Sequence, residues 1–377
     1  EMCFKSKNLY NYANYIIRQE FMTNGNYINY HNMNKELKSH KEYKECMSQP
    51  ANCTLRLLDK NWKSFFVAIK DYSNNPSKYL GRPKLPKYLN KDGRFNWMIP
   101  NNSCYLEGNK LKFRIKKLQD HKWYTRNLGR LIQVRFVPKG TCYIMEIVYE
   151  VEIDNDEVHN KNTASIDLGI NNFVTMVNNI GEKPIIINGK GLKSINQYYN
   201  KQLAAEKSNL MKVNNKYWSN KLDQISFKRY KRIMNYMHNV SAYIVKYCKY
   251  KNIDNIVIGK NDKWKQECNI GSINNQKFVQ IPYEILFEQL KYKCEFNNIK
   301  LIMTEESYTS GTSFLDGELP TIENYDKSRR NHRGMFISNR GVKVNADVNG
   351  AYQIMRKVFP EFEYGIWVYL TPTIVNI

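Results

Sequence analysis

From residue 163 to residue 358, short β-branched runs alternate with longer stretches of helical spacing, and this alternation limits the fold more than any other feature of the chain. Residues 164–172, 173–177, 184–187, 253–258 and 299–303 read as five strands. After Gly189-Lys190-Gly191, a polar and basic segment keeps Tyr230, Ile233, Met234, Met237, Val240, Ile244 and Val245 at helical spacing, which predicts a helical hairpin reaching to about residue 251. Pro282 opens another helix, carrying Ile285, Leu286 and Leu290, and residues 345–358 form a last one. Strands that alternate with helices need helical layers to cover a sheet, so this half of the chain is predicted to be α/β.

The preceding part follows other periods. Leu55, Leu58, Trp62, Phe65, Phe66 and Ile69 recur at helical spacing, with Lys60, Lys63 and Lys70 off that face, so residues 55–70 are predicted to form an amphipathic helix with a basic exterior. Residues 14–21 read as another. Between residues 94 and 153 the period becomes two: Leu111, Phe113 and Ile115 alternate with Lys112, Arg114 and Lys116, and Ile132, Val134, Phe136 and the run 143–151 are β-branched and aromatic. The expected organisation is a β-rich module over residues 1–160 with a helical insertion at about 9–75, followed by an α/β domain over 161–377. Residues 81–88 link helix and strands. Their prolines make them extended, and Arg82, Lys84 and Lys87 line them, which suggests a loop that tracks a phosphate backbone.

Composition says what such domains work on. Against 35 Asp+Glu stand 58 Lys+Arg, a formal charge of +23, while 42% of the residues are hydrophobic. That is too much apolar material for a disordered polycation, so the charge belongs to folded surfaces that meet a polyanion. No apolar run is long enough to cross a bilayer. No signal pattern opens the chain, from which a cytosolic location is expected. The eight cysteines include no C-x-x-C pair, so no zinc ribbon is expected and the thiols read as free, in a reducing compartment.

Three acidic positions stand out. Asp167 is embedded in the apolar strand Ser165-Ile-Asp-Leu-Gly169, where a charge costs several kcal/mol unless a cation compensates it. Glu305 and Glu306 follow the fifth strand, and because successive strand residues face opposite sides, only one of the two is expected to aim at a shared site. Asp347 opens the last helix, where the helix dipole alone would favour it. Together they match the RNase H-like arrangement, in which the fourth and fifth strands extend the sheet beside the first. Such a cluster holds two Mg²⁺ or Mn²⁺ ions about 3.5–4 Å apart for phosphodiester hydrolysis.

The blocks Ser165-Ile-Asp-Leu-Gly-Ile-Asn-Asn172, Gly191-Leu-Lys-Ser-Ile-Asn-Gln-Tyr-Tyr-Asn-Lys201, Asn275-Gln-Lys-Phe-Val-Gln-Ile-Pro282, Glu306-Ser-Tyr-Thr-Ser310 and Asn345-Ala-Asp-Val-Asn-Gly350 resemble the TnpB (OrfB) proteins of bacterial insertion sequences, compact relatives of type V CRISPR effectors. The resemblance is dense over the second half and loose over the first. It implies an RNA-guided DNA endonuclease. The expected architecture is a wedge-like β-barrel with a helical recognition insertion, followed by an RNase H-like (RuvC) nuclease domain. It also implies a guide RNA and a double-stranded DNA target with a displaced strand as partners, Mg²⁺ or Mn²⁺ as cofactor, and a prokaryotic, nucleoid-associated cytoplasmic location; the oligomeric state is left open, with a monomer favoured.

Two departures qualify it. Most relatives end the fourth strand in a catalytic Glu, whereas here Ile258 runs into Gly259-Lys260, so that Glu305 or Glu306 is the expected replacement and Asp262, past the strand, a poorer one. The usual four-cysteine ribbon is also missing from residues 311–344, where His332 alone cannot bind zinc; a zinc-free basic lid is expected there. Expected nucleic-acid contacts are Arg82, Lys84, Lys87, Lys201, Arg229, Arg232, Arg329, Arg330, Arg333 and Arg340. The competing reading is a guide-directed DNA-binding protein, repressor-like, whose nuclease has decayed and for which Gly259 is the scar. A strand-transfer transposase using the same carboxylates stands third.

Overall fold

A computed structural model of the chain describes residues 1–126, 129–153, 162–261, 276, 278–330, 334–361 and 371–377. It divides into two compact units, Glu1–Glu152 and Ile153–Ile377. The boundary expected after residue 160 falls outside the described residues.

In the first unit, helices α1 (Met2–Asn24), α2 (Tyr30–Leu37), α3 (Lys41–Cys46) and α4 (Ser48–Asn74) come first. The spacing noted from Leu55 to Trp62 is the reason α4 packs: those side chains are buried in one core with Leu9, Ala13 and Ile17 of α1. A fully buried indole must still satisfy its N–H. Trp62 Nε1 donates to Asn14 Oδ1 at 3.0 Å, and Asn14 Nδ2 donates in turn to the Pro86 carbonyl at 3.0 Å. Arg18 reaches the same carbonyl at 3.0 Å, so the proline-rich link is anchored to α1.

Strands β1 (Trp97–Pro100), β2 (Cys104–Glu107), β3 (Lys110–Phe113), β4 (Trp123–Tyr124), β5 (Arg130–Lys139) and β6 (Cys142–Glu150) follow, with a single helical turn, α5 (Lys116–Gln119), between β3 and β4. They form two three-stranded sheets, β1-β5-β6 and β2-β3-β4. Among the described residues no ladder joins these sheets into the expected barrel, and the helices of this unit precede its described strands.

The second unit is built on a six-stranded mixed sheet in the order β11-β10-β7-β8-β9-β14. Strands β7 (Thr163–Leu168), β8 (Asn172–Asn178) and β9 (Ile185–Asn188) run antiparallel, while β10 (Asn255–Gly259) and β11 (Lys300–Thr304) run parallel to β7 and to each other. The five expected strands therefore stand in the order anticipated for the RNase H-like arrangement. A sixth, β14 (Thr373–Val375), adds parallel to β9; at three residues it carries no readable period. The helical hairpin is α6 (Lys190–Asn214) and α7 (Asn220–Tyr250), and α8 (Tyr283–Glu295) and α9 (Ala346–Val358) complete the layers.

Alternation along β7 decides which side the acidic residue faces. Ala164, Ile166 and Leu168 join the core under α7 and α8 with Met237, Val240, Ile244, Leu286 and Leu290. Ser165 points the other way and donates to the Ala351 carbonyl of α9 at 2.5 Å. Asp167 shares that face.

Candidate acidic site

Because β7, β10 and β11 are parallel, their C-terminal ends lie along one edge of the sheet, the place where open α/β sheets bind ligands. Asp167 stands one residue from the end of β7, Gly259 ends β10, and Glu305 and Glu306 follow β11. Helix α9 starts at the same edge: Asn345 caps it, accepting from the N–H groups of Asp347 and Val348 at 2.9 and 3.2 Å, which puts Asp347 in the first turn.

The two glutamates part company. Glu305 is exposed and pairs with Lys357 of α9 and with the Ser307 hydroxyl, which hold its carboxyl below the usual range. Glu306 turns inward. Its N–H donates to Asn261 Oδ1 at 2.8 Å, Asn261 Nδ2 lies 3.5 Å from its Oε2, and among the described residues its buried Oε1 has no hydrogen-bond partner. Burial and the neighbouring Glu305 charge push its pKa up to about 7.

Asp167 keeps some accessible surface, yet its surroundings push its pKa well above the carboxylate range, first through burial and then through the charges of Glu306 and Asp347. Arg330 works against this rise from 3.8 Å beyond Asp347. The other Asp347 oxygen accepts from Asn172 Nδ2 at 2.6 Å. Among the described residues, Arg330 is thus the guanidinium that Asp167 and Asp347 meet at this edge. Among the described residues, no three His, Cys, Asp or Glu side chains close into a ready metal cage. The donors are all carboxylate oxygens, which suit a hard divalent cation, and the orphaned Glu306 Oε1 is an acceptor that such a cation would satisfy.

Four further residues belong to this edge and carried no signal in isolation. Tyr283 is buried beneath it, donates to the Gly169 carbonyl at 3.0 Å, and has its phenol pushed up by burial and by the charges of Asp167 and Glu306. Asn172 and Asn261 orient two of the carboxylates. Gly350 lies against Asp167: a Cβ there would come within 2.9 Å of Oδ2. Only the departure noted at the β10 end could have pointed to Asn261.

The expected basic contacts fall into two sets. Arg82, Lys84 and Lys87 are exposed and, with Arg18, Phe21, Phe65 and Ile69, line a cavity of about 500 Å³. Lys201, Arg232 and Arg340 are exposed too. Two others are structural. Arg229 donates to Asn196 Oδ1 and the Gln280 carbonyl, each at 2.8 Å, bracing α7 against α6, and Arg329 is largely buried against Glu318 at 2.6 Å. Arg330 faces Asp347. Arg333, Asp262 and His332 lie outside the described residues.

The lid, residues 311–344, packs onto α9. The Phe314 ring stacks on Tyr352 at 4.4 Å, and Asn349 bonds both Phe314 N–H and Thr312 O. Strands β12 (Met335–Ile337) and β13 (Lys343–Asn345) pair within it and deliver the chain to Asn345.

The sequence matches the probable transposase family OrfB_IS605 over residues 146–265 and the Cas12f1-like TNB domain over residues 283–354. It is 24% identical to the TnpB-like protein ORF457 of Acidianus two-tailed virus over 93% of this chain and 81% of that protein. Two solved structures also align. One, a Cas12f1–sgRNA–target DNA complex, has 14% identity over 94% of this chain and 92% of that one, with a TM-score of 0.40. The other, a CRISPR-Cas12f ternary complex, has 13% identity over 97% and 82%, with a TM-score of 0.42. The two family segments bracket Asp167, Gly259, Glu305, Glu306 and Asp347. These matches make the chain similar to TnpB-like proteins and, over residues 283–354, to the Cas12f1-like TNB domain.

Proposed function

We propose that the chain is an RNA-guided DNA endonuclease whose site is the acidic edge of the second unit, with Asp167, Glu306 and Asp347 as the Mg²⁺ or Mn²⁺ ligands. One observation carries the reading: Glu306 turns into the edge with an unpartnered buried oxygen, while Glu305 turns out to Lys357. Bound there, the metal ions would supply charge neutralisation and an activated water for phosphodiester hydrolysis. The chain's own residues do the positioning. Asn172 holds Asp347, Asn261 holds Glu306, and Tyr283 fixes the turn at Gly169. Arg330, at the mouth of the site, is placed to meet a phosphate.

The partners proposed are a guide RNA and a DNA target opened by pairing with it. The exposed cations Arg82, Lys84, Lys87, Lys201, Arg232 and Arg340 would follow the phosphate backbones, and binding would weaken with salt as counterions are no longer released. A monomer in a prokaryotic cytoplasm, close to the nucleoid, is part of the same proposal. Gly259 lends no support to a decayed nuclease, because the place a side chain would take there is occupied by Glu306.

The deciding experiment is to purify the chain with its co-expressed RNA, sequence that RNA, and challenge the complex with plasmids carrying the matching target in Mg²⁺. Guided cutting that EDTA stops is the expected result. Guided binding without any cutting sinks the nuclease reading.

A further inference from the structure

We propose that Gly259 is a positioning residue: its missing side chain is the space that lets Glu306, carried on the next strand, set its carboxylate at the acidic edge. The inference rests on the reading of that edge as a metal site. Gly259 ends β10 opposite Thr304 of β11, and the ladder continues one step further, with Lys260 N–H donating to the Thr304 carbonyl at 2.7 Å. Glu306 lies two residues beyond, tied to Asn261, and its side chain folds back across Gly259. A Cβ on Gly259 would lie 2.5 Å from both Cγ and Oε1 of Glu306 and 2.8 Å from Cδ.

Backbone conformation gives no reason for glycine here. Gly259 is not among the residues with positive φ; it is an ordinary buried strand residue, in a position where glycine weakens a sheet and marks a close approach by something else. What approaches is the Glu306 side chain. Because the clashing atoms belong to a flexible side chain and not to backbone, a methyl group at this position would leave the fold standing and move the carboxylate instead. Gly350 repeats the device beside Asp167, with a Cβ-to-oxygen distance of 2.9 Å. The 2.5 Å separation from Oε1 is also close to the distance an aspartate's own Cβ keeps from its carboxylate oxygens. A carboxylate borne on position 259 could therefore stand in for that of Glu306.

The test compares the wild type with Gly259→Ala, Glu306→Ala and the transplant Gly259→Asp/Glu306→Ala. Each full chain is measured for guided plasmid cutting with its RNA bound, for Mn²⁺ affinity without RNA by electron paramagnetic resonance, and for melting temperature. Gly259→Ala is expected to keep its melting temperature, to cut about 100-fold more slowly and to bind Mn²⁺ about tenfold more weakly. The transplant is expected to recover both cutting and Mn²⁺ affinity to within about tenfold of wild type, where Glu306→Ala alone recovers neither. Gly259→Ala with wild-type cutting and Mn²⁺ affinity would overturn the proposal, and so would a transplant no better than Glu306→Ala. Should Gly259→Ala lose its fold, the transplant decides alone. If wild type neither cuts nor binds Mn²⁺, the reading of the edge as a metal site is what has failed.

Discussion

Two clusters of charge sit a short stretch of chain apart in the second unit and are built on opposite terms. In the lid, Glu318 accepts from Arg329 at 2.6 and 2.8 Å, from the Ser313 N–H at 2.8 Å and from Asn339 at 3.0 Å. At the sheet edge, Arg330 serves Asp167 and Asp347, and among the described residues Glu306 Oε1 has no hydrogen-bond partner. The lid cluster is complete as it stands and holds a loop onto α9. The edge is held against its own repulsion by the sheet and by α9. Carboxyls buried and crowded at the end of parallel strands hold their protons more tightly than usual, which marks this edge as a candidate site.

The largest effect should separate the clusters outright. Asp167→Ala and Asp347→Ala are each expected to lower guided cutting by about 10³-fold or more, with RNA binding intact. Glu305→Gln, one residue from Glu306, is expected to stay within about threefold of wild type, because its carboxylate faces Lys357. Cutting that survives both aspartate changes would break the comparison at its centre.

Next in size is the lid. Glu318 and Arg329 expose only 14% and 17% of their side chains, so removing one strands the other in a poorly hydrated place. Arg329→Ala is expected to cost about 2–3 kcal/mol in a denaturant titration. Loss of nucleic-acid affinity without loss of stability would show Arg329 to be a phosphate contact after all.

A third prediction uses pH. The Glu306 carboxyl has its folded pKa raised to about 7, above its ordinary 4.5, so its proton favours the folded state. That contribution is fully present below pH 4.5 and is lost as pH rises through 7, on the order of 2–3 kcal/mol. Chelated protein should therefore melt lower at pH 7.5 than at pH 5, and Mg²⁺ should restore the difference. Glu306→Gln should remove its part of the slope, with Asp167, whose carboxyl is also pushed up, carrying the rest. An unchanged slope in that variant would assign the effect elsewhere.

How much of this was legible beforehand depended on whether a residue's environment is set locally. Trp62 and Leu58 announced a buried helix face through spacing alone, and Asp167 was conspicuous because a carboxylate interrupted an apolar strand. The five strands followed from the same kind of periodicity, but their order came from the match to the RNase H-like arrangement. Glu305 and Glu306 could not be told apart because both lie past the end of β11, where alternation no longer fixes a side; Lys357, Asn261 and Gly259, all distant in sequence, decide between them. Arg229 and Arg232 looked equivalent on one helix, yet only the first finds acceptors across the hairpin. The two open sheets of the first unit were hidden because strand count and length do not reveal whether an edge closes.

That pair of arginines gives the smallest and last prediction. Arg232 is exposed and lies over the Tyr198 ring at 5.5 Å, a contact that leaves its charge available, whereas the Arg229 guanidinium already spends its donors on Asn196 and Gln280. Arg232→Ala should leave the melting temperature alone and reduce the slope of log affinity against log salt by about 1, the release of roughly one counterion. Arg229→Ala should do the reverse, lowering stability and leaving the salt slope unchanged. If both variants shift the slope equally, burial and pairing do not sort the cations of this surface, and the distinction between charge kept for structure and charge kept for a partner fails for α7.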